Sequence, residues 1–368
     1  MWNRREFLSQ GAGSLLGLAA ATRLVETRAA DVVNRDTLPD GSAAKGMITP
    51  EAQQAIKNGL AYLARNQEPD HSFGSGLYRG NVAVTSLAGL AFMSGGHQPG
   101  RGRYGDVVSG AVEFVLKQER ANPPGYLHNV RNNPTPHGPM YGHGFGTLFL
   151  AEAYGMVHNR RLRDKLRGTL ERAVDLIIRS QNSEGGWRYQ PEPKDADISV
   201  TICQIMALRA ARNVGFSVPK SVADNCTAYV KRCQDAQGGF RYMSQGGGSA
   251  FARTAAGVVA LYSAGVYKGE AVDKGLEYLM NHRPGQALIP RNNEMHYFYG
   301  HYYAVQAMWT AGGRYWADWY PGIRDELVKH PRLRPEGNWL DQICTHYGTA
   351  MACIILQVPN NYLSILQK

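Results

Sequence analysis

Apolar positions along this chain recur with a helical period in six separate runs. They are AIKNGLAYLARNQ from Ala55, VSGAVEFVLKQ from Val108, LERAVDLIIRSQ from Leu170, VADNCTAYVKRCQ from Val222, AVDKGLEYLMNH from Ala271 and GIRDELVKH from Gly322. Apolar residues three and four apart place one stripe on each run, as a helix lying on a core requires. A turn follows each run. The clearest is Gln181 to Trp187, where Glu184-Gly185-Gly186-Trp187 stops the helix, and Gln234 to Phe240 is nearly the same text. Gln67 to Phe73, Gln118 to Tyr126 and Glu336-Gly-Asn-Trp339 are looser copies; the fifth keeps an Arg283-Pro284-Gly285 turn and lacks the aromatic. A second run rich in Ala, Gly and Thr comes after each turn. Laid over one another, these second runs bring Thr85, Thr147, Thr201, Thr254, His301 and Thr349 to one level. Self-similarity at this period is the mark of an array of helical hairpins.

An open array of six hairpins leaves two raw ends, and closing it into a ring removes both. Small residues on the second helices, as in AAGVVALYSAG of the fourth repeat, suit an inner ring, and long charged residues on the first helices suit an outer one. The pattern therefore predicts an all-α fold, an (α/α)6 toroid built from six helical hairpin repeats. All inner helices then point the same way. Their N-termini gather at one mouth, with free backbone N–H groups and partial positive charge. Chemistry is expected there.

The ends of the chain add a compartment. Arg4-Arg5-Glu6-Phe7-Leu8, followed by GAGSLLGLAAA, resembles a twin-arginine export signal over residues 1–30. Its apolar stretch is too short for a membrane span. Residues 31–48 read as a polar linker, and Thr49-Pro50-Glu51 opens the toroid of residues 49–368 with a cap, a first-position Pro and a first-turn acid. An exported, periplasmic or cell-envelope protein with no transmembrane span is expected. Charge and cysteine refine this only slightly. The net charge is +10, and +8 without residues 1–30, a balance that suits an anionic substrate or surface. No basic run interleaved with aromatics points to nucleic acid. The five cysteines are odd in number and have no metal spacing, so packed thiols are expected, and the sequence names neither a cofactor nor an oligomeric state.

Gln181-x-x-x-Gly185-Gly186-Trp187 and its copy at Gln234 resemble the repeats of the prenyltransferase and squalene-oxidase repeat family. That family includes protein prenyltransferase β-subunits and class II terpene cyclases. The resemblance covers nearly all of 49–368 and implies the same α/α toroid. Asp195-Ala-Asp197-Ile-Ser199 is similar to the acid motif D-x-D-D-T of class II cyclases. By that likeness Asp197 is the general acid, and Ile198 stands where the last Asp would be. The transferases' zinc pair Asp-x-Cys would fall on Asp195 and Asp197. Their zinc-His segment resembles Tyr297-Phe298-Tyr299-Gly300-His301, with Gly300 at the ligand position and His301 one residue later. No intact metal site follows.

The residues expected at the mouth are therefore Asp197, Asp195, His143 and His301 as catalytic candidates. His143 aligns with Asp197 one repeat earlier. Against this stands a plainer reading, in which an Asp just before a helix is its cap. His296 and His346 also stand near inner-helix openings. Arg79 and Arg253, at inner-helix starts, could hold a carboxylate or diphosphate. Thr201, Tyr299 and Trp309 are expected to line the cavity; the late aromatics suit an isoprenoid, a cation or a sugar ring. Three functions stay open: a terpene-cyclase-like or prenyltransferase-like enzyme on an isoprenoid or other apolar ligand, a non-catalytic binding module of the cell envelope, and a polysaccharide-active toroid.

Overall fold

The computed structural model describes residues 42–132, 137–285, 296–330 and 332–367. The export-signal segment and most of the linker lie outside them. Twelve α-helices are present among the described residues. The outer ones are α1 (Pro50–Arg65), α3 (Gly105–Lys117), α5 (Arg160–Arg179), α7 (Lys220–Arg232), α9 (Glu270–Met280) and α11 (Gly313–Val328). They alternate with inner helices α2 (Val82–Ser94), α4 (Met140–Met156), α6 (Ile198–Asn213), α8 (Phe251–Ser263), α10 (Tyr297–Ala311) and α12 (Thr345–Gln357). Each inner helix packs on the next, and α12 packs on α2, so the ring closes. Every outer helix wedges between two inner ones. The (α/α)6 toroid expected from the repeats is the observed fold.

Burial explains the two sequence styles. Outer helices bury one stripe only, as Leu166, Leu170, Ala173, Val174 and Ile177 do on α5. Inner helices are buried nearly all round, from Val84 to Ser94 on α2 and from Ile198 to Ala211 on α6. A helix enclosed on every side needs small or apolar residues on every side, hence the Ala, Gly and Thr.

The Thr level has a specific cause. Thr85, Thr201, Thr254 and Thr349 each accept, on Oγ1, the backbone N–H of the aromatic residue in the preceding turn: Phe73, Trp187, Phe240 and Trp339, at 2.9, 3.1, 3.0 and 3.1 Å. Those N–H groups are buried beyond the reach of helix bonds and must find a partner. The conserved geometry extends to the turn glutamines. Gln181 Nε2 donates to Gly185 O and to Val222 O of the next repeat, and Gln234 Nε2 likewise to Gly238 O and Ala271 O. The second repeat solves the same problem differently. Its turn is a hairpin of β1 (Glu119–Ala121) and β2 (Pro124–Leu127), and Leu127 N donates to His143 Nδ1 at 3.2 Å instead of to Thr147.

The end of the ring opposite the mouth is floored. Beyond α12 the chain turns across the C-terminal ends of the inner helices. Glu152 of α4 accepts from the N–H and hydroxyl of Ser364 and from Ile365 N, each at 2.8 Å. Trp309 of α10 donates to Leu366 O, Asn360 Nδ2 to Ser94 O of α2, and Arg209 of α6 to Gln367 O. Leu363, Ile365 and Leu366 are buried. At the other end of the chain, the stretch before α1 docks on α11, where Trp316 Nε1 bonds Ala43 O and Arg324 bonds Met47 O. No helix among the described residues is long and apolar enough to cross a membrane.

Candidate functional site

The inner-helix N-termini surround a cavity of about 590 Å³. Its wall takes residues from the start of all six inner helices: Asn81 and Val82, Pro139 and Tyr141, Ser199, Ala250 to Arg253, His296 and Tyr299, and Ile343 with Tyr347. Val84, Leu127, Phe145 and Phe251 supply apolar wall. Below it the axis is filled, with Phe145 edge-on to Tyr302 and Cys203 Sγ 3.4 Å from Tyr303 Oη. The cavity is thus a cup with one mouth.

The wall has two polar regions. The first is a group of hydroxyls around α6. Tyr141 Oη donates to Ser199 Oγ at 2.8 Å, and Ser199 Oγ donates to Asp197 Oδ1 at 2.5 Å. Tyr242 Oη donates to Asp197 Oδ2 at 3.3 Å and lies 2.5 Å from Tyr189 Oη. Tyr299 Oη donates to Ser199 O at 2.9 Å. Burial pushes the phenols of Tyr141 and Tyr299 well above their ordinary value, so they remain protonated donors. The second region holds two imidazoles beside Arg253. His137 and His296 meet edge to face with ring centroids 6.3 Å apart, and Tyr78 Oη lies 2.5 Å from His137 Nδ1. Burial lowers both imidazoles, and nearby Asp341 opposes that in each. Arg253 stands close enough to His296 to depress it further.

Asp197 itself is fully buried in the wall and caps α6. Its Oδ1 accepts Ser199 N and Val200 N, both at 2.9 Å, and Arg188 Nε stands 3.8 Å from Oδ2. Its pKa stands above the ordinary carboxylate value: burial raises it, and the hydrogen bonds from Ser199 and Val200 and the Arg188 charge offset only part of that. It is linked to the cavity through Ser199 and Tyr242, both of which line the wall.

The expected convergence of four catalytic side chains on the cavity is not found. Asp195 is exposed and pairs with Arg188 at 2.7 Å. His143 sits between Leu127, the Tyr126 ring and the backbone of α5, where burial holds its imidazole down at about 4. It serves the role that Thr plays in other repeats. His301 is enclosed by Tyr297, Phe251 and Trp319, toward α11. Of the expected binding residues, Arg253 and Tyr299 line the cavity. Thr201 is occupied by the Trp187 N–H, Trp309 lies at the floor, and Arg79 is exposed and paired with Glu68 at 2.7 Å. His346 packs against Phe73 and Tyr62 away from the mouth. Sequence reasoning missed Tyr141, Tyr189, Tyr242 and His137. Tyr141 was within reach, since it opens the same Tyr141-Gly-His143-Gly segment, two residues before the one chosen. All five cysteines are free and buried.

None of the described residues lining the cavity is Asp or Glu. Glycoside hydrolysis by two carboxylates needs a pair flanking the bond, and this wall has none. Among the described residues no cluster of three or more His, Cys, Asp or Glu could hold a metal ion.

No family model matches the chain, and no curated protein matches it. Solved structures do. A cellobiose 2-epimerase from Bacillus thermoamylovorans superposes with a TM-score of 0.59 at 13% identity, over 83% of this chain and 98% of that one. An inactive variant of an α-1,6-mannanase of Salegentibacter, in complex with α-1,6-mannotriose, gives 0.58 at 9%, over 83% and 98%. The type II terpene cyclase MstE from Scytonema gives 0.55 at 14%, over 86% and 100%. What this chain shares with all three is the α/α-toroid fold.

Proposed function

We propose that the toroid takes up an isoprenoid-like or other apolar chain through its single mouth, in the cell envelope after export. The observation that carries this reading is the wall: apolar and phenolic side chains, with no carboxylate among its described residues. A volume of about 590 Å³ suits one small molecule. Acid-initiated cyclisation has less support. It needs a protonated carboxyl aimed at an alkene, whereas Asp197 is surrounded by donors and screened by Ser199. Sugar-cleaving chemistry by a carboxylate pair finds no such pair among the described wall residues. The test is titration of the purified toroid with geranylgeraniol, followed by native mass spectrometry. Saturable one-to-one binding is expected, and Ala83→Trp, which fills the mouth, should abolish it. The reading is discarded if the wild-type chain binds no apolar ligand, or if the filled variant binds equally well. Analysis of the same mixtures for products tells binding from turnover.

A further inference from the structure

We infer that the cavity selects an apolar chain ending in a single negative charge, a long-chain carboxylate, and that Arg253 is the residue that selects it. The inference rests on the apolar-ligand reading above and narrows it.

The argument starts from pairing. Arginines near the mouth are engaged: Arg79 with Glu68, Arg188 with Asp195, and Arg332 with Asp341 at 3.6 Å. Arg253 is half-buried, lines the cavity and has no ion pair or hydrogen bond among the described residues. A guanidinium withdrawn from water without an anion is costly, and its rigid fork matches a carboxylate. Its surroundings supply further donors. Arg253 belongs to the first turn of α8, whose cap position, Ala250, gives the helix no side-chain bond; α10, beginning beside His296, is likewise uncapped by a side chain. Of the six inner helices only α2 and α6 are closed by a side chain, Asn81 and Asp197; α4 and α12 are open like α8 and α10. Unclosed first turns favour an anion beside the arginine.

The charge count sets the ligand's valence. Burial keeps His137 and His296 neutral near pH 7, so they offer N–H groups rather than charges. Among the described residues of the wall, Arg253 is then the one permanent cation. Asp341, close behind both imidazoles, would repel additional negative charge. One carboxylate balances this set, whereas a diphosphate exceeds it, with no carboxylate among the described wall residues to share a counter-cation. The apolar side chains opposite, Val82, Val84, Leu127 and Phe145, receive the tail.

The experiment compares hexadecanoate, hexadecanol and farnesyl diphosphate by calorimetry on the wild-type chain and on Arg253→Gln and Arg253→Lys, each checked for native helix content. Hexadecanoate should bind best. Arg253→Gln should weaken it about tenfold or more while leaving hexadecanol unchanged, and Arg253→Lys should recover part of the loss. Equal affinity for acid and alcohol in the wild-type chain overturns the inference yet leaves the apolar cavity standing. So does tighter binding of the diphosphate, or an Arg253→Gln variant that weakens both ligands alike. If neither hexadecanoate nor hexadecanol binds, the cavity reading itself fails.

Discussion

At the scale of single residues, two polar side chains define how this fold works. A threonine hydroxyl on an inner helix receives the N–H of the preceding aromatic, four times around the ring. Thr201→Val keeps the shape and strands the Trp187 N–H. A loss of about 1–3 kcal/mol is expected, read as a lower urea midpoint with unchanged slope. His143 does the same work for Leu127 and carries a pH signature. Its folded pKa, about 4, is depressed from an ordinary 6.5. A depressed group stabilises the fold above the unfolded value and withdraws that stability as pH falls toward the folded one. Acidification from pH 6.5 to 4 should therefore cost up to roughly 3 kcal/mol through His143 alone. His143→Gln should flatten that part of the pH profile, at the price of a lower plateau at neutral pH. The sequence made the shared level of these residues visible, because register survives in a one-dimensional text. What the level was for did not, because the partner is a backbone N–H that every residue possesses. His143 was mistaken for a cavity residue for the same reason: alignment along a helix says nothing about which side of it a ring leaves from.

At the scale of elements, the glycine turns of the third, fourth and sixth repeats join each of them to its neighbour. Gly185 has φ of +99°, and a Cβ there would stand 2.1 Å from the carbonyl oxygen of Asn225 on α7; Gly238 repeats this against Lys274 on α9. Gly337 does so against Asn58 on α1, which makes it a contact between the last repeat and the first. Gly185→Ala should destabilise by on the order of 3 kcal/mol, from strain and from backbone collision together, in thermal or urea unfolding. These turns were legible as turns, since Gly-Gly and the flanking glutamine are strong local signals. The hairpin of β1 and β2 was not. Its residues lack strand character, and its shape follows from the need to bring Leu127 to His143.

At the scale of the whole molecule, the number of hairpins, the ring and the gathered N-termini could all be inferred from sequence. They follow from burying every apolar face. The floor could not be inferred, because Leu363, Ile365 and Leu366 form no periodic run and gain meaning only from Glu152, Arg209 and Trp309, distant in the chain. Among the candidate cavity residues, Arg253 and Tyr299 were recoverable from the start of a helix. His137, Tyr189 and Tyr242, which come from loops, were not.

Ring closure also orders events in time. The apolar flank of α1 meets α12 and α11, and the turn at Gly337 leans on α1, so the first repeat completes its core with the last. The floor is laid by residues beyond even that. A ribosome that has released five hairpins has made an arc whose two edges are uncovered, and no quantity of local helix formation can cover them. The nascent chain must stay unaggregated until the sixth hairpin and the segment that crosses the floor emerge, after which both edges and the floor are sealed.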